Sequence, residues 1–483
     1  MIATNETRTI RLESMTRVEG EGGLRIEVRD GNLRDVKVDV FEAPRFFEAF
    51  LRGRSMREVP DITARICGIC PAAHQMSSVQ AIETALGITP SPEVRALRRL
   101  LYCGEWIESH ALHIYLLQAP DFFAMESALT LARQQPNLVK QGLELKKLGN
   151  EIMTAVGGRS VHPVSVCVGG FWKVPRRHQL LELRPRIEWA LQTSLETVKF
   201  VSGLKLPNFA PNYECVALSH PREYAINEGS IVSSAGLDVP VKDFEQVFLE
   251  EHVAHSTALH SVRADRGSSY FVGPLARVNL NHSHLPPVAK QAAGECGIAW
   301  PCSNPYAGIV ARAIELVMAC EESLRLIDTY REPEPVAAEY SIHAGDGCAA
   351  TEAPRGLLYH RYRMNDQGIV QSARIVPPTC QNYRRIEDDL RLLLPGILDR
   401  TDAEIVETCE KLVRNYDPCI SCSTHAMKIQ VNRRVQTELG ETRERSIWDT
   451  VQLNAARIVL DRRGTQRTLA SPDSERPDPS CCG

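Results

Sequence analysis

"RICGICPAAH" occupies residues 65–74 and "DPCISCSTH" occupies residues 417–425. Each stretch holds two cysteines two residues apart with a histidine close behind: Cys67, Cys70 and His74 in the first, Cys419, Cys422 and His425 in the second. One pair alone reads as a dithiol at a helix N-terminus, where the helix dipole lowers a thiol pKa. That reading leaves the second pair unexplained, and the surroundings lack the βαβ pattern such a motif expects. Four thiolates from two pairs are also the ligand set of structural zinc. Zinc ribbons, however, separate their pairs by roughly 15–20 residues, whereas Cys419 lies 349 positions beyond Cys70. A metal joining the pairs would tie the beginning of a large fold to its end, and a fold of this size has core enough without it. A four-thiolate site of this range is therefore expected to serve chemistry. Soft thiolates suit nickel and iron as well as zinc, and two of the four can bridge to a second metal. The repeated histidines are placed to hydrogen-bond to sulfur and tune the metal.

The bulk composition narrows the class. The chain has 483 residues, 43% hydrophobic and 24% charged, with a formal net charge of −4. These are ordinary globular values, and the charge leaves no footprint for nucleic acid or an anionic membrane. No apolar run approaches the roughly 20 residues that span a bilayer, and the charged N-terminus lacks the apolar core of a signal peptide. A cytoplasmic location is expected. Fifteen cysteines, an odd number, argue for reduced thiols and metal ligands over a disulfide framework. Cys103, Cys167, Cys215, Cys296, Cys302, Cys320, Cys348, Cys380 and Cys409 are isolated and read as small buried hydrophobes.

Periodicity outlines one large, helix-dominated domain. Residues 24–40, "LRIEVRDGNLRDVKVDV", alternate on both sides of Asp30-Gly31 as a β-hairpin does. Pro71 opens a helix reaching Leu86, and Ser91-Pro92 opens a longer one that stops before Pro120. The Gly- and Pro-bearing stretch 156–171 reads as loops that pass close to another element. Asn304-Pro305 starts a further helix to about Tyr330, and Thr401 with Glu404 forms a capping box for one that ends at Asp417-Pro418. The second cysteine pair thus follows a helix end directly. Residues 462–483 are polar and Pro-rich, and read as disordered. The expected fold class is mainly α (α+β), with small β-hairpins, as one domain over residues 1–425 and a C-terminal extension over 426–483.

The chain resembles the large, catalytic subunit of [NiFe]-hydrogenases. The resemblance rests on Arg65 to His74, Asp417 to His425, "TRVEGEGGL" (16–24), "HIYLLQAPDF" (113–122), "GGRSVHPVSVCVGG" (157–170) and "EAPRG" (352–356). The wording of these stretches is most similar to the soluble NAD(P)-linked class, also called sulfhydrogenases. The resemblance implies that Cys67 and Cys419 are terminal nickel ligands. It implies that Cys70 and Cys422 bridge nickel to an iron carrying cyanide and carbon monoxide, with an open bridging position for hydride. Arg355 would hang over the open site. The proton would go to the thiolate of Cys419 rather than to Arg355, since an arginine is a permanent cation. Glu19 matches the family's proton gate, and Asp121 and Asp417 match acids that support Arg355 and the C-terminal ligand turn. Glu48 aligns with a glutamate that binds a buried magnesium, together with His425. In "IVPPT" (375–379) the family's hydroxyl contact to a cyanide is left unassigned, because Pro378 stands at one candidate position and Thr379 at the next.

Two electrons leave H2 on oxidation, yet no further clustered cysteines form an iron–sulfur relay here. A small subunit with [4Fe–4S] clusters is therefore an expected partner, with flavoprotein and ferredoxin-like diaphorase subunits completing the path to NAD(P). Nickel chaperones and a maturation protease are implied as well: relatives lose a short tail after this histidine, and the 58 residues that follow His425 are either removed in the same way or kept as an extra element. Rival readings are H2 oxidation coupled to deazaflavin or heterodisulfide reduction, an H2 sensor, and an inactive hydrogenase-like scaffold. Retention of all four cysteines argues against the scaffold. A structural zinc protein ranks last.

Overall fold

The computed structural model describes residues 7–424 and, beyond them, the strand segments 431–436, 442–447, 459–460 and 466–467. The chain divides into two units, Met1–Ala426 and Met427–Gly483. The first begins with β1 (Thr7–Leu12), β2 (Gly22–Arg29) and β3 (Asn32–Val40) in one antiparallel sheet. The β2–β3 turn is Asp30-Gly31, with Arg29 opposite Asn32 and φ of 50° and 74° at the two turn residues. Both central residues of a tight hairpin need positive φ, which Asp and Gly supply. The pattern expected this hairpin. It did not expect β1, which pairs Ile10 with Ile26 along the other edge of β2.

Helix α1 (Pro71–Leu86) starts one residue after Cys70 and ends on Gly87 at φ 65°, a left-handed stop. Helix α2 (Pro92–Leu112) is capped by the Ser91 hydroxyl, which accepts from the Val94 N–H. Here the expectation of a stop before Pro120 is corrected. The chain passes through a widened π-type turn, His113–Gln118, into a last α-turn, Ala119–Phe122. Pro120 sits in the first turn of that segment, where its missing N–H costs nothing. Helices α3 (Pro136–Gly157), α4 (Arg184–Ser202) and α5 (Gly308–Asp328) complete the bundle, with α5 packed on α2 and α4. Helix α5 is buried on nearly every face, so it forms the centre of the core.

A second antiparallel sheet joins β4 (Gly345–Ala353), β5 (Gly356–Met364) and β6 (Val370–Val376), and α1 lies across it. Ala353 pairs with Gly356, so Pro354-Arg355 is a two-residue hairpin tip. Helix α6 (Pro378–Leu393) follows. Helix α7 (Asp402–Arg414) carries the expected capping box: Thr401 Oγ1 accepts from Glu404 N, and Glu404 Oε2 accepts from Thr401 N. In the second unit Val431–Gln436 pairs antiparallel with Thr442–Ile447, and Val459–Leu460 with Gln466–Arg467. Apart from that last strand, the reading of residues 462–483 lies outside the described residues. Among the described residues, no helix is long and apolar enough to cross a membrane.

Candidate metal centre

The two cysteine turns meet. Cys67 follows a 3-10 turn (Ala64–Ile66) in extended backbone, and Cys70 sits at the N-terminus of α1. Cys419 precedes the short helix Ile420–Ser423, which contains Cys422. All four sulfurs lie within 4.8 Å of one another and all four residues are buried. Cys67 Sγ is 3.6 Å from Cys419 Sγ, Cys70 Sγ is 4.0 Å from Cys422 Sγ, and Cys419 Sγ is 2.8 Å from Cys422 Sγ. The backbone N–H groups of Ile69 and Cys70 donate to Cys67 Sγ at 3.3 and 3.1 Å.

Several residues hold this geometry. Residues 19 and 419 form a parallel bridge, with Ile420 N donating to Glu19 O at 2.9 Å. The approach is so close that a Cβ on Gly20 (φ 88°) would fall 2.7 Å from the Ile420 side chain. Arg45 clamps both turns: its guanidinium donates to the carbonyls of Ile66 and Arg65, and its N–H donates to Thr424 O. Glu105, buried on α2, accepts from the N–H groups of Ala72 and Ala73 at the start of α1. Burial raises its carboxyl well above the usual range, and the Cys67 charge adds to this. Thr379 Oγ1 accepts from Cys419 N at 3.0 Å, which leaves its hydroxyl hydrogen available. Arg45 and Glu105 carry no spacing signal in the sequence. The sequence offers Thr379 only as one of two positions in "IVPPT".

Arg355 projects from the hairpin tip and is buried. Its Nε donates to Asp417 O at 2.8 Å and an Nη to Asp417 Oδ1 at 3.2 Å. Burial opposes ionisation of Asp417, but Arg355, His113 and Arg312 outweigh it and hold the carboxyl below its ordinary value. The remaining nitrogen, Nη1, is buried and has no hydrogen-bond partner among the described residues. Burial opposes ionisation of Cys67 too, yet hydrogen bonds with Cys419, Cys422 and Cys70 and the charge of Arg355 hold its thiol well below the usual value. Burial, with the charge on Cys67 adding to it, pushes Cys419 well above. Four thiols so crowded ionise together only around a cation, and their softness fits nickel and iron.

The other expected residues fall in four places. Glu19 Oε2 accepts from Cys419 Sγ at 3.0 Å and from Ser421 N at 3.2 Å, with the Ser421 hydroxyl bonded to the other oxygen. Asp121 contacts Arg17 and Arg414, beside α7. It braces the helix that leads into the ligand turn, and Asp417 takes Arg355. His74 Nδ1 lies 3.2 Å from His360 Nε2, a buried partner on β5. Glu48 is half-buried with Oε1 accepting from Ile375 N, and desolvation pushes its carboxyl up to about 7 against the charge of Arg374. His425 lies outside the described residues. The isolated cysteines are buried, except the half-buried Cys302 and Cys348.

A buried cysteine quartet joining the two ends of a mostly helical fold, with an arginine above it, defines the large subunit of a nickel–iron hydrogenase. The profile of the nickel-dependent hydrogenase family matches residues 45–143 and 262–425, and the chain belongs to that family. The quartet is its nickel–iron site. The sequence is 33% identical over 424 residues to the alpha subunit of sulfhydrogenase 1 from Pyrococcus furiosus, covering 87% of this chain and 98% of that one. It is 34% identical over 426 residues to the alpha subunit of sulfhydrogenase 2 from the same organism, covering 87% and 100%. The fold is similar to that of an NAD+-reducing [NiFe]-hydrogenase solved in the H2-reduced state, with a TM-score of 0.78 and 25% identity over 87% of this chain and 100% of that one.

Proposed function

We propose that this chain is the H2-activating subunit of an NAD(P)-linked cytoplasmic hydrogenase. The observation that carries the reading is the convergence of Cys67, Cys70, Cys419 and Cys422 in a buried cluster under Arg355. Cys67 and Cys419 would hold nickel alone, and Cys70 and Cys422 would hold nickel and an iron bearing cyanide and carbon monoxide. When bound, such a pair supplies a Lewis acid that polarises H2 and takes up its two electrons.

The protein's own groups manage charge and protons. Cys419 Sγ receives the proton, because Glu19 Oε2 stands 3.0 Å away to take it on. Glu19 is only half-buried, so its carboxyl passes the proton outward while the sulfurs stay shielded. Arg355 remains a cation throughout and balances the thiolates, and Asp417 fixes its plane. Glu48 and His425 would hold magnesium, whose preference is for oxygen ligands and retained water.

Electrons would leave through a small subunit with [4Fe–4S] clusters, then through flavoprotein and ferredoxin-like diaphorase subunits to NAD(P). The match to an NAD+-reducing hydrogenase over 87% of this chain supports this acceptor, and the designation of the Pyrococcus relatives as alpha subunits supports the presence of partner subunits. The domain is assigned to residues 1–425, with 426–483 as an extension. The test is H2-dependent reduction of NAD+ and NADP+ by the anaerobically purified complex. Reduction of either supports the acceptor. A complex that reduces a viologen under H2 and neither nucleotide rejects it, and one that carries zinc without nickel rejects the catalytic reading.

A further inference from the structure

A second group of metal-binding side chains occurs among the described residues: His255, His260 and Glu387. His260 opens the strand His260–Arg263, which pairs antiparallel with Phe248–Glu251. His255 lies in the connection between those strands, and Glu387 is on α6. One ligand atom from each lies within 4.8 Å of the other two.

An ordinary ion pair accounts for part of this, since His255 Nε2 is 2.8 Å from Glu387 Oε1. It leaves His260 unexplained. That side chain is wholly buried, and neither ring nitrogen has a hydrogen-bond partner among the described residues. An unmet buried polar atom is costly because it has given up its hydrogen bonds to water, so an imidazole with two is a poor structural residue. Its ring is instead set edge-on to His255, with centroids 5.6 Å apart at 85°.

Glu387 is braced in the manner of a ligating carboxylate. Val38 N donates to Oε1 at 3.1 Å, and Arg391 reaches Oε2 at 3.4 Å. Such outer contacts orient a carboxylate while leaving a lone pair for a metal. His255 is 14% exposed, which gives an ion a way in from solvent. Two imidazoles and one carboxylate, with water in the fourth position, form a familiar zinc donor set.

We propose that His255, His260 and Glu387 bind one zinc ion that clamps the strand pair to α6. The clamp stands behind the cysteine cluster without belonging to it. The His260 ring stacks on Tyr383 at 5.4 Å, and the Tyr383 hydroxyl is 2.9 Å from Ser423 Oγ, next to Cys422. The zinc is thus structural, and turnover per nickel does not require it. The assignment is independent of the electron acceptor.

The experiment uses the matured complex, washed with chelator and purified anaerobically, for elemental analysis and zinc K-edge absorption. Wild type should carry about one zinc per large subunit, with nitrogen and oxygen neighbours at about 2.0–2.1 Å and no sulfur. His260→Phe and Glu387→Gln should each lose that zinc and keep nickel and iron. No zinc in wild type, a sulfur shell, or full zinc in either variant overturns the proposal. If neither variant accumulates, the wild-type zinc count and neighbour shell decide.

Discussion

Glu19 Oε2 lies 3.0 Å from Cys419 Sγ across 400 positions of sequence. The contact is built from both sides. The bridge between residues 19 and 419 fixes the backbones, and Ser421 donates to Glu19 from its N–H and from its hydroxyl. The carboxylate is therefore held, rather than merely near. Replacing Glu19 by Gln keeps shape and hydrogen bonding but removes the proton acceptor. Turnover should fall by about 10²–10⁴-fold, the usual worth of a positioned acid–base group, with nickel content unchanged. Hydrogen uptake together with H/D exchange measures this, and wild-type exchange in Glu19→Gln would end the role of Glu19.

Arg355 makes a two-point contact with Asp417, to its carbonyl and to its carboxylate. Asp417 itself sits at φ 50°, a conformation that needs such support outside glycine. Arg355→Lys keeps the charge and loses the planar fork. A drop in kcat of about 10²-fold, the scale for losing one preorganised donor, should accompany near-normal nickel and iron content. Loss of the metals themselves would instead mean that Arg355 supports assembly of the cluster.

The route from sequence to this site shows what spacing carries and what it does not. The cysteine turns, the Thr401 capping box and the Asp30-Gly31 hairpin were legible because each is local: a few residues in a fixed order determine the geometry. The partners of Asp121 were not legible, because a π-type turn precedes it and no periodicity announces that insertion. Glu105 was invisible for another reason. Its function, capping the helix that begins at Cys70, arises only when α2 packs across α1. Arg45 similarly acts through backbone carbonyls, which have no sequence signature.

The hairpin tip that carries Arg355 is held from below by Arg277, which donates to the carbonyls of Ala353 and Pro354. Arg277 in turn pairs with Glu315 and Glu352, all three fully buried. Burial opposes ionisation of Glu315, but Arg277 and His110 outweigh it and lower its carboxyl to about 2. The folded value lies below the unfolded one, so this contribution is present above pH ~4.5 and is lost as pH falls toward 2. It amounts to about 3 kcal/mol. Glu352 has the opposite sign: burial pushes it up to about 7, so its contribution is lost as pH rises through that value. Glu315→Gln should lower stability near pH 6 by about 3–5 kcal/mol, because Arg277 loses its main counter-charge. It should also flatten the acid limb below pH ~4.5. Calorimetry across pH 3–6 checks both, and parallel acid limbs would reject the assignment.

Glu105 and Glu108 are aimed inward by one helix pair. Helices α2 and α3 pack backbone against backbone at Gly104 and Gly149. A Cβ on Gly149 would lie 2.5 Å from both Glu108 N and Gly104 O, which are backbone atoms and cannot turn aside. Gly149→Ala must therefore push the helices apart, even though alanine raises helix propensity by about 1 kcal/mol. Overpacking of this kind costs about 1–3 kcal/mol, so the steric term wins and the variant should be less stable. Glu108 sits in that contact and pairs with Lys146 across it, at 2.6 Å. One turn earlier on the same face, Glu105 caps α1 beside Cys70. Separation of the helices should thus reach the metal cluster as reduced nickel incorporation. Elemental analysis beside a thermal melt reads both effects. A Gly149→Ala variant as stable as wild type would mean the helices slide without strain and would remove this link to the cluster.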